Sequence, residues 1–171
     1  MEIYGIDAAP GQIGISRMPG RGGDYTGDLA AIVAWGAKLV LTMTTEGELI
    51  PCGAGQIAHD LARHNIAWVH LPIPDFGAPP EATARLWPGA AAEAHDILND
   101  GGRVLTHCYG GCGRSGTAAL RLLVERGEDA KAALTRMRAV RPCAIETEAQ
   151  FRWAASIHSG ASGISRTTGP G

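Results

Sequence analysis

The chain has 171 residues, enough for one ordinary domain with a real core. Hydrophobic residues make up 45% of it and charged residues 19%, with a formal net charge of −2 and no compensating run of Lys and Arg. That balance predicts a soluble globular protein and gives no nucleic-acid footprint. The opening Met1-Glu2-Ile3-Tyr4-Gly5-Ile6-Asp7 lacks a basic or apolar leader, and no apolar run approaches the ~18 residues that span a bilayer. Cys52, Cys108, Cys112 and Cys143 are too few and too unevenly spaced for a secreted disulfide scaffold. The expected setting is a reducing cytoplasm, with no membrane partner.

Ile3 to Ile6 and Gln12 to Ser16 read as two short strands around the turn Ala8-Ala9-Pro10-Gly11. Pro19 to Gly23 is a glycine-rich loop. Asp24 or Thr26 then caps a helix whose Leu29, Ile32, Val33 and Trp35 share a face. Lys38 to Met43 is the short apolar run of a buried parallel strand. A helix is predicted over Gly55 to His64, with Ile57, Ala58 and Leu61 inward, and a strand over Ala67 to Leu71 that Pro72 and Pro74 end. A further helix runs to about Asn99, with Pro88 either near its start or kinking it.

After Gly101-Gly102, Val104 to Thr106 form a strand that runs directly into His107-Cys108. Helices are predicted over Ser115 to Arg126, Asp129 to Val140 and Glu146 to His158, and a disordered tail over 159–171. Strands alternating with helices predict an α/β fold, with a central, mostly parallel sheet flanked by helices, in one domain over 1–158.

The segment His107 to Gly116 carries the strongest chemical signal. A phosphate monoester dianion repels anionic nucleophiles, so a site for it must concentrate positive potential. Curled backbone N–H groups and a helix N-terminus supply that potential. Gly110, Gly111 and Gly113, between a strand end and a helix start, allow the backbone to curl in this way. Arg114, six positions after Cys108, offers a planar fork to two phosphoryl oxygens. The same field lowers a cysteine pKa from its free value of ~8.5 toward a thiolate. Ser115 is placed to donate to Cys108 when that sulfur leaves the phosphoenzyme. These observations make Cys108 the candidate nucleophile, Tyr109, Gly110, Gly111, Cys112, Gly113 and Arg114 the phosphate cradle, and Ser115 its helper. Cys108 as a small buried hydrophobe in a glycine-rich turn is the bland alternative.

The loop has the pattern His-Cys-x5-Arg-Ser. With Leu71-Pro72-Ile73-Pro74-Asp75-Phe76, Arg141-Pro142 and Ile145-Glu146-Thr147 to Gln150, the chain resembles the protein-tyrosine and dual-specificity phosphatases, especially the small atypical dual-specificity members. The resemblance covers roughly Leu39 to Trp153. It implies a protein-tyrosine-phosphatase-like fold and hydrolysis of phosphotyrosine, and also of phosphoserine or phosphothreonine, through a phosphocysteine. The implied partner is a phosphorylated protein, with no cofactor and no metal. The oligomeric state is left open.

On its residues alone Asp75, 33 positions before Cys108 in a proline-flanked loop, is equally a general acid or a turn former. The resemblance implies the acid. Glu46 and Glu48 are lesser candidates, read rather as caps or solvent-facing groups. For hydrolysis of the phosphocysteine the resemblance points to Glu146 and Gln150 as water-positioning residues. A helix-capping role for Glu146 stands beside that reading. Cys112 either fills a loop position or forms a reversible disulfide with oxidised Cys108, and Cys52 and Cys143 carry no assigned role. The resemblance implies that His107 orders the loop. Two rival functions remain: a phosphoinositide or small-molecule phosphatase, disfavoured by the absence of lysine in the loop, and a phospho-binding or redox-sensing module without turnover.

Overall fold

The computed structural model describes residues 1–156. The expected tail over 159–171 lies outside the described residues, as do the last two residues of the expected domain. The chain opens with a hairpin, β1 (Ile3–Ala8) and β2 (Gly11–Arg17), and continues through α1 (Tyr25–Trp35), β3 (Ala37–Thr42) and α2 (Glu46–Leu49). Then come α3 (Ile57–Ala62), β4 (Ala67–His70), α4 (Glu81–Asn99) and β5 (Arg103–Cys108). Three helices complete it: α5 (Gly113–Glu125), α6 (Ala130–Val140) and α7 (Glu148–Ala155). The short α2, continued by a 3-10 turn over Ile50–Cys52, is an element the sequence pattern does not announce.

The sheet order is β1-β2-β5-β3-β4. Only the β1–β2 hairpin is antiparallel; β5 lies between β2 and β3 and pairs with both in parallel. Its residues Val104 to Cys108 are all buried, as a strand covered on both faces requires. One face packs Ile13, Ile15, Leu39, Leu41 and Val104 against α4, α5 and the C-terminal helices. The other packs Val40 and Leu105 against Ile32 of α1 and Ile57 and Leu61 of α3. Ala58, expected inward on α3, is exposed. Asp24 caps α1 by accepting from the Gly27 N–H.

Pro88 lies inside α4 rather than near its start. It sits on the exposed side of the helix, where the carbonyl left without a donor can be hydrated. Trp87, Ala90, Ala91, Ala94 and Leu98 form the buried stripe of the same helix.

The topology gathers the site at the C-terminal ends of the parallel strands. Backbone bonds continue the sheet past those ends: Met43 N–H to His107 O (2.9 Å), Leu71 N–H to Thr42 O (2.9 Å) and Ile73 N–H to Met43 O (3.1 Å). This ladder carries the chain after β4 up to the rim where Cys108 stands, and so brings Asp75 toward it.

Candidate active site

Cys108 ends β5 with its side chain almost wholly buried, and its Sγ lies 3.2 Å from the Ser115 hydroxyl. Ser115 is on the first turn of α5, so sulfur and hydroxyl meet at the start of that helix. The loop between them folds tightly against β2. Gly111 has φ +70°, and a Cβ there would come within 2.5 Å of the Arg17 backbone nitrogen. Only glycine fits this approach. A Cβ on Gly113 would in turn collide with Glu146 and Gln150.

His107, fully buried, accepts or donates at Nε2 to the Thr42 hydroxyl (2.7 Å), which also accepts from the Trp68 indole N–H (2.7 Å). Burial first, and then the positive charges of His70 and Arg114, push the His107 pKa down to about 3. The ring is therefore neutral, bonded to β3 through the Thr42 hydroxyl.

Arg114 is buried and held by three oxygen-bearing groups. Its Nη1 and Nη2 donate to Glu48 Oε2 and Oε1 at 2.8 and 2.9 Å, and Nη1 also donates to Ile73 O at 3.2 Å. Its Nη2 lies 3.1 Å from Asp75 Oδ1. Burial alone would raise the Glu48 pKa, but the bonds from Arg114 and Thr45 carry it down to about 2. Glu48 is therefore an anionic clamp on the arginine and not an acid. The expected capping role holds, since Glu48 accepts from the Thr45 N–H in a capping box, and the solvent-facing alternative is corrected: the same carboxylate orients Arg114. The Thr45-x-x-Glu48 pattern signals the cap, whereas nothing in it signals a partner 66 positions away.

The cleft over the loop has a volume of about 140 Å³ and is lined by Asp75, Phe76, Cys108, Tyr109, Cys112 and Glu146, among others. The predicted nucleophile, arginine, acid and Glu146 thus converge there. Phe76 and Tyr109 stand exposed at its rim, and Phe76 has the left-handed φ of +56°. Glu146 accepts from the Gly113 N–H (2.9 Å), so this loop amide, expected in the phosphate cradle, already has a carboxylate partner.

Gln150 is not in the cleft lining. It is fully buried, its Oε1 accepts from the Glu146 and Thr147 N–H groups, and its Nε2 donates to Gly77 O at 3.2 Å. Its amide ties the start of α7 to the loop that carries Asp75.

Cys112 is bonded to Cys143 in a disulfide that joins the loop to the segment between α6 and α7. This corrects two expectations. Cys143 has a structural role, and the Cys112 sulfur is not available to an oxidised Cys108. Cys52 and Cys108 are the free cysteines. Arg141 braces the same loop, donating to Gly111 O (2.8 Å) and Gly110 O (2.9 Å).

A buried cysteine at a strand end, a glycine-rich loop and an arginine on the following helix, under a mostly parallel sheet, define the cysteine-dependent phosphatase class. The comparisons agree. Residues 20–154 match the family described as "Swiss Army Knife protein, DSP-PTPase phosphatase domain", and the chain belongs to that family. Among curated proteins, cyclin-dependent kinase inhibitor 3 of Mus musculus is 32% identical over 96 residues, which are 56% of this chain and 44% of that protein. The chain thus aligns with less than half of that relative's length.

Among solved structures, a kinase associated phosphatase with its catalytic-site cysteine replaced by serine superposes with a TM-score of 0.76 at 23% identity, covering 90% of this chain and 92% of the other. Tk-PTP in its active form superposes with a TM-score of 0.67 at 28% identity, covering 82% and 87%. Among the described residues no group of His, Cys, Asp or Glu is arranged to hold a metal.

Proposed function

We propose that the protein hydrolyses phosphotyrosine, and with it phosphoserine or phosphothreonine, on protein substrates through a phosphocysteine intermediate. The observation that carries this is the convergence in one cleft of the Cys108 sulfur, its 3.2 Å partner Ser115, the clamped Arg114 and the Asp75 carboxylate.

In the first step the Cys108 thiolate attacks phosphorus while the ester oxygen leaves. The loop amides and Arg114 hold the non-bridging oxygens, and their donors face charge that builds in the transition state. A substrate phosphoryl group takes up the Arg114 donor that Asp75 holds at 3.1 Å; the released Asp75 carboxylate binds a proton from solvent and passes it to the leaving oxygen. In the second step Glu146 orients water toward the phosphocysteine, the Asp75 carboxylate takes a proton from that water as its oxygen bonds to phosphorus, and Ser115 donates to the sulfur as the S–P bond breaks. Water supplies the oxygen of the released phosphate, and no other cosubstrate enters. Exposed Phe76 and Tyr109 at the rim suit an aryl ring between them, which favours phosphotyrosine within this reading.

The test is hydrolysis of a generic aryl phosphate, and then of phosphotyrosine, phosphoserine and phosphoinositide substrates, by wild type and Cys108→Ser. Turnover of the aryl phosphate and the phosphotyrosine peptide by wild type alone is the expected result. Wild-type activity no higher than that of Cys108→Ser would make the chain a binding module, and a preference for inositides would make it a lipid phosphatase.

A further inference from the structure

The Cys112–Cys143 link ties the catalytic loop to the segment between α6 and α7 without using the Cys108 sulfur. Cys112 and Cys143 are both half-buried, Pro142 beside them is exposed, and Cys112 lines the catalytic cleft. Cys108, at 3% exposure, is better shielded than either. A dissolved thiol can therefore reach the link. Arg141 also gives the link a polarity. Its Nη2 donates to the Cys112 sulfur at 3.4 Å and to Gly110 O at 2.9 Å, and among the described residues only the Cys112 side of the link has such a donor. A sulfur leaves more readily beside a fixed positive charge, so Cys112 is the leaving side and Cys143 the side open to attack.

Resting on the reading of the protein as a phosphatase, we infer that Cys112–Cys143 is a thiol–disulfide exchange site that takes a dithiol, and that its reduction turns the catalytic loop off. One thiolate of the dithiol attacks the Cys143 sulfur, the S–S bond breaks, and the electron pair stays on Cys112 beside Arg141. The second thiolate of the reductant then attacks its own sulfur in the mixed disulfide and expels Cys143. The protein gains two electrons, the reductant leaves as a cyclic disulfide, and its two thiol protons go to solvent or to the freed sulfurs. As a thiolate, Cys112 competes with Gly110 O for Arg141 Nη2, because a charged acceptor holds a guanidinium more strongly than a carbonyl does. It also puts negative charge into the lining of a cleft that must receive a phosphate dianion. Both effects weaken phosphate binding, and neither alters Cys108. The direction is the reverse of oxidative blocking of a nucleophile: here the oxidised link is the active form.

The test equilibrates the full chain in mixtures of reduced and oxidised dithiothreitol. At each ratio, alkylation and mass mapping read the state of Cys108, Cys112 and Cys143. Matched samples give the Kd of inorganic phosphate by equilibrium dialysis and the Cys108-dependent turnover of an aryl phosphate. As the link opens, phosphate Kd should rise and kcat/KM should fall, each on the order of tenfold, while Cys108 stays a free thiol throughout. Saturating inorganic phosphate should move the half-opening ratio toward more reductant by the same factor as the change in Kd, because coupling between two sites is reciprocal. Cys52→Ser should respond as wild type does, and Cys143→Ser should bind phosphate weakly at every ratio. A link that opens without changing phosphate affinity or turnover, a link that stays closed in the folded chain at every ratio, or a response that persists in Cys143→Ser overturns the switch and leaves the phosphatase reading standing. Absence of Cys108-dependent turnover at both ends of the series overturns the phosphatase reading, and the switch falls with it.

Discussion

Glu48 and Arg114 form a two-pronged pair, 2.8 and 2.9 Å, across 66 positions of sequence, and this pair sets the direction in which the arginine presents its remaining donors. A phosphate-binding guanidinium that must serve a transition state has to be held before the substrate arrives, and a half-buried carboxylate with two bonds does this better than solvent.

Glu48→Gln keeps the shape and removes the charge. The expected outcome is a fall in kcat/KM on an aryl phosphate on the order of a hundredfold, the scale associated with a misplaced catalytic group. Unchanged kinetics would show that Ile73 O and the loop suffice to orient Arg114. Stability is linked to pH through the same group. The folded-state pKa of about 2 lies below the ordinary 4.5, so the carboxylate's contribution is complete above about 4.5 and is lost as pH falls toward 2. His107 acts in the same direction over a higher window: with a folded value near 3 against 6.5, the unfolded chain binds a proton that the fold excludes as pH drops from 6.5 to 3. Urea unfolding of wild type at pH 7, 5 and 3 should show falling stability, with the loss below pH 4.5 reduced in Glu48→Gln.

Asp75→Asn should lower kcat by about 10²- to 10⁴-fold on substrates whose leaving oxygen is strongly basic. The effect should be much smaller on a nitrophenyl ester, whose leaving group departs without a proton. A series of aryl phosphates of graded leaving-group basicity measures this, and equal losses across the series would remove Asp75 from the acid role.

Glu146→Ala tests the second half of the reaction. If Glu146 positions water, rapid mixing should show a burst of leaving group followed by slow turnover, with a phosphocysteine trapped on acid quench. A capping or buttressing role alone would slow both phases together, because Glu146 also accepts from the Gly113 N–H.

Thiol titration checks the Cys112–Cys143 link. Of the four cysteines, Cys52 and Cys108 should titrate in denaturant without reductant, and all four with it. Cys143→Ser should lower unfolding free energy by about 4 kcal/mol, the loop-closure scale for a link across 31 positions. Titration of four thiols from the untreated protein would show that the link is not formed.

How much of this was legible in the sequence follows from the range of each interaction. The loop from Cys108 to Ser115 is local, with glycines, arginine and hydroxyl inside one strand-to-helix turn, so the pattern exposes it. Asp75 was legible as the acid only through the family resemblance, because on its own residues a proline-flanked aspartate reads equally as a turn former. Glu48 was not legible, because an acidic Thr-Thr-Glu-Gly-Glu run is compatible with any surface turn until the sheet brings it to Arg114. The Cys112–Cys143 pairing is likewise a product of tertiary proximity between residues 31 apart. Gln150 looked like a residue of the cleft, and its place is decided by α7, where the capping box turns its amide toward Gly77 O.

The segment from Arg141 to Glu146 touches the catalytic loop residue by residue: Arg141 on Gly110 and Gly111, Cys143 on Cys112, Glu146 on Gly113. The signature Cys-x5-Arg is therefore not a portable module in this protein. Grafted into another strand-to-helix turn without that strap, it would keep its composition and lose its shape. A protein engineer moving this chemistry would have to carry two stretches of chain and the helical spacing that holds them in register.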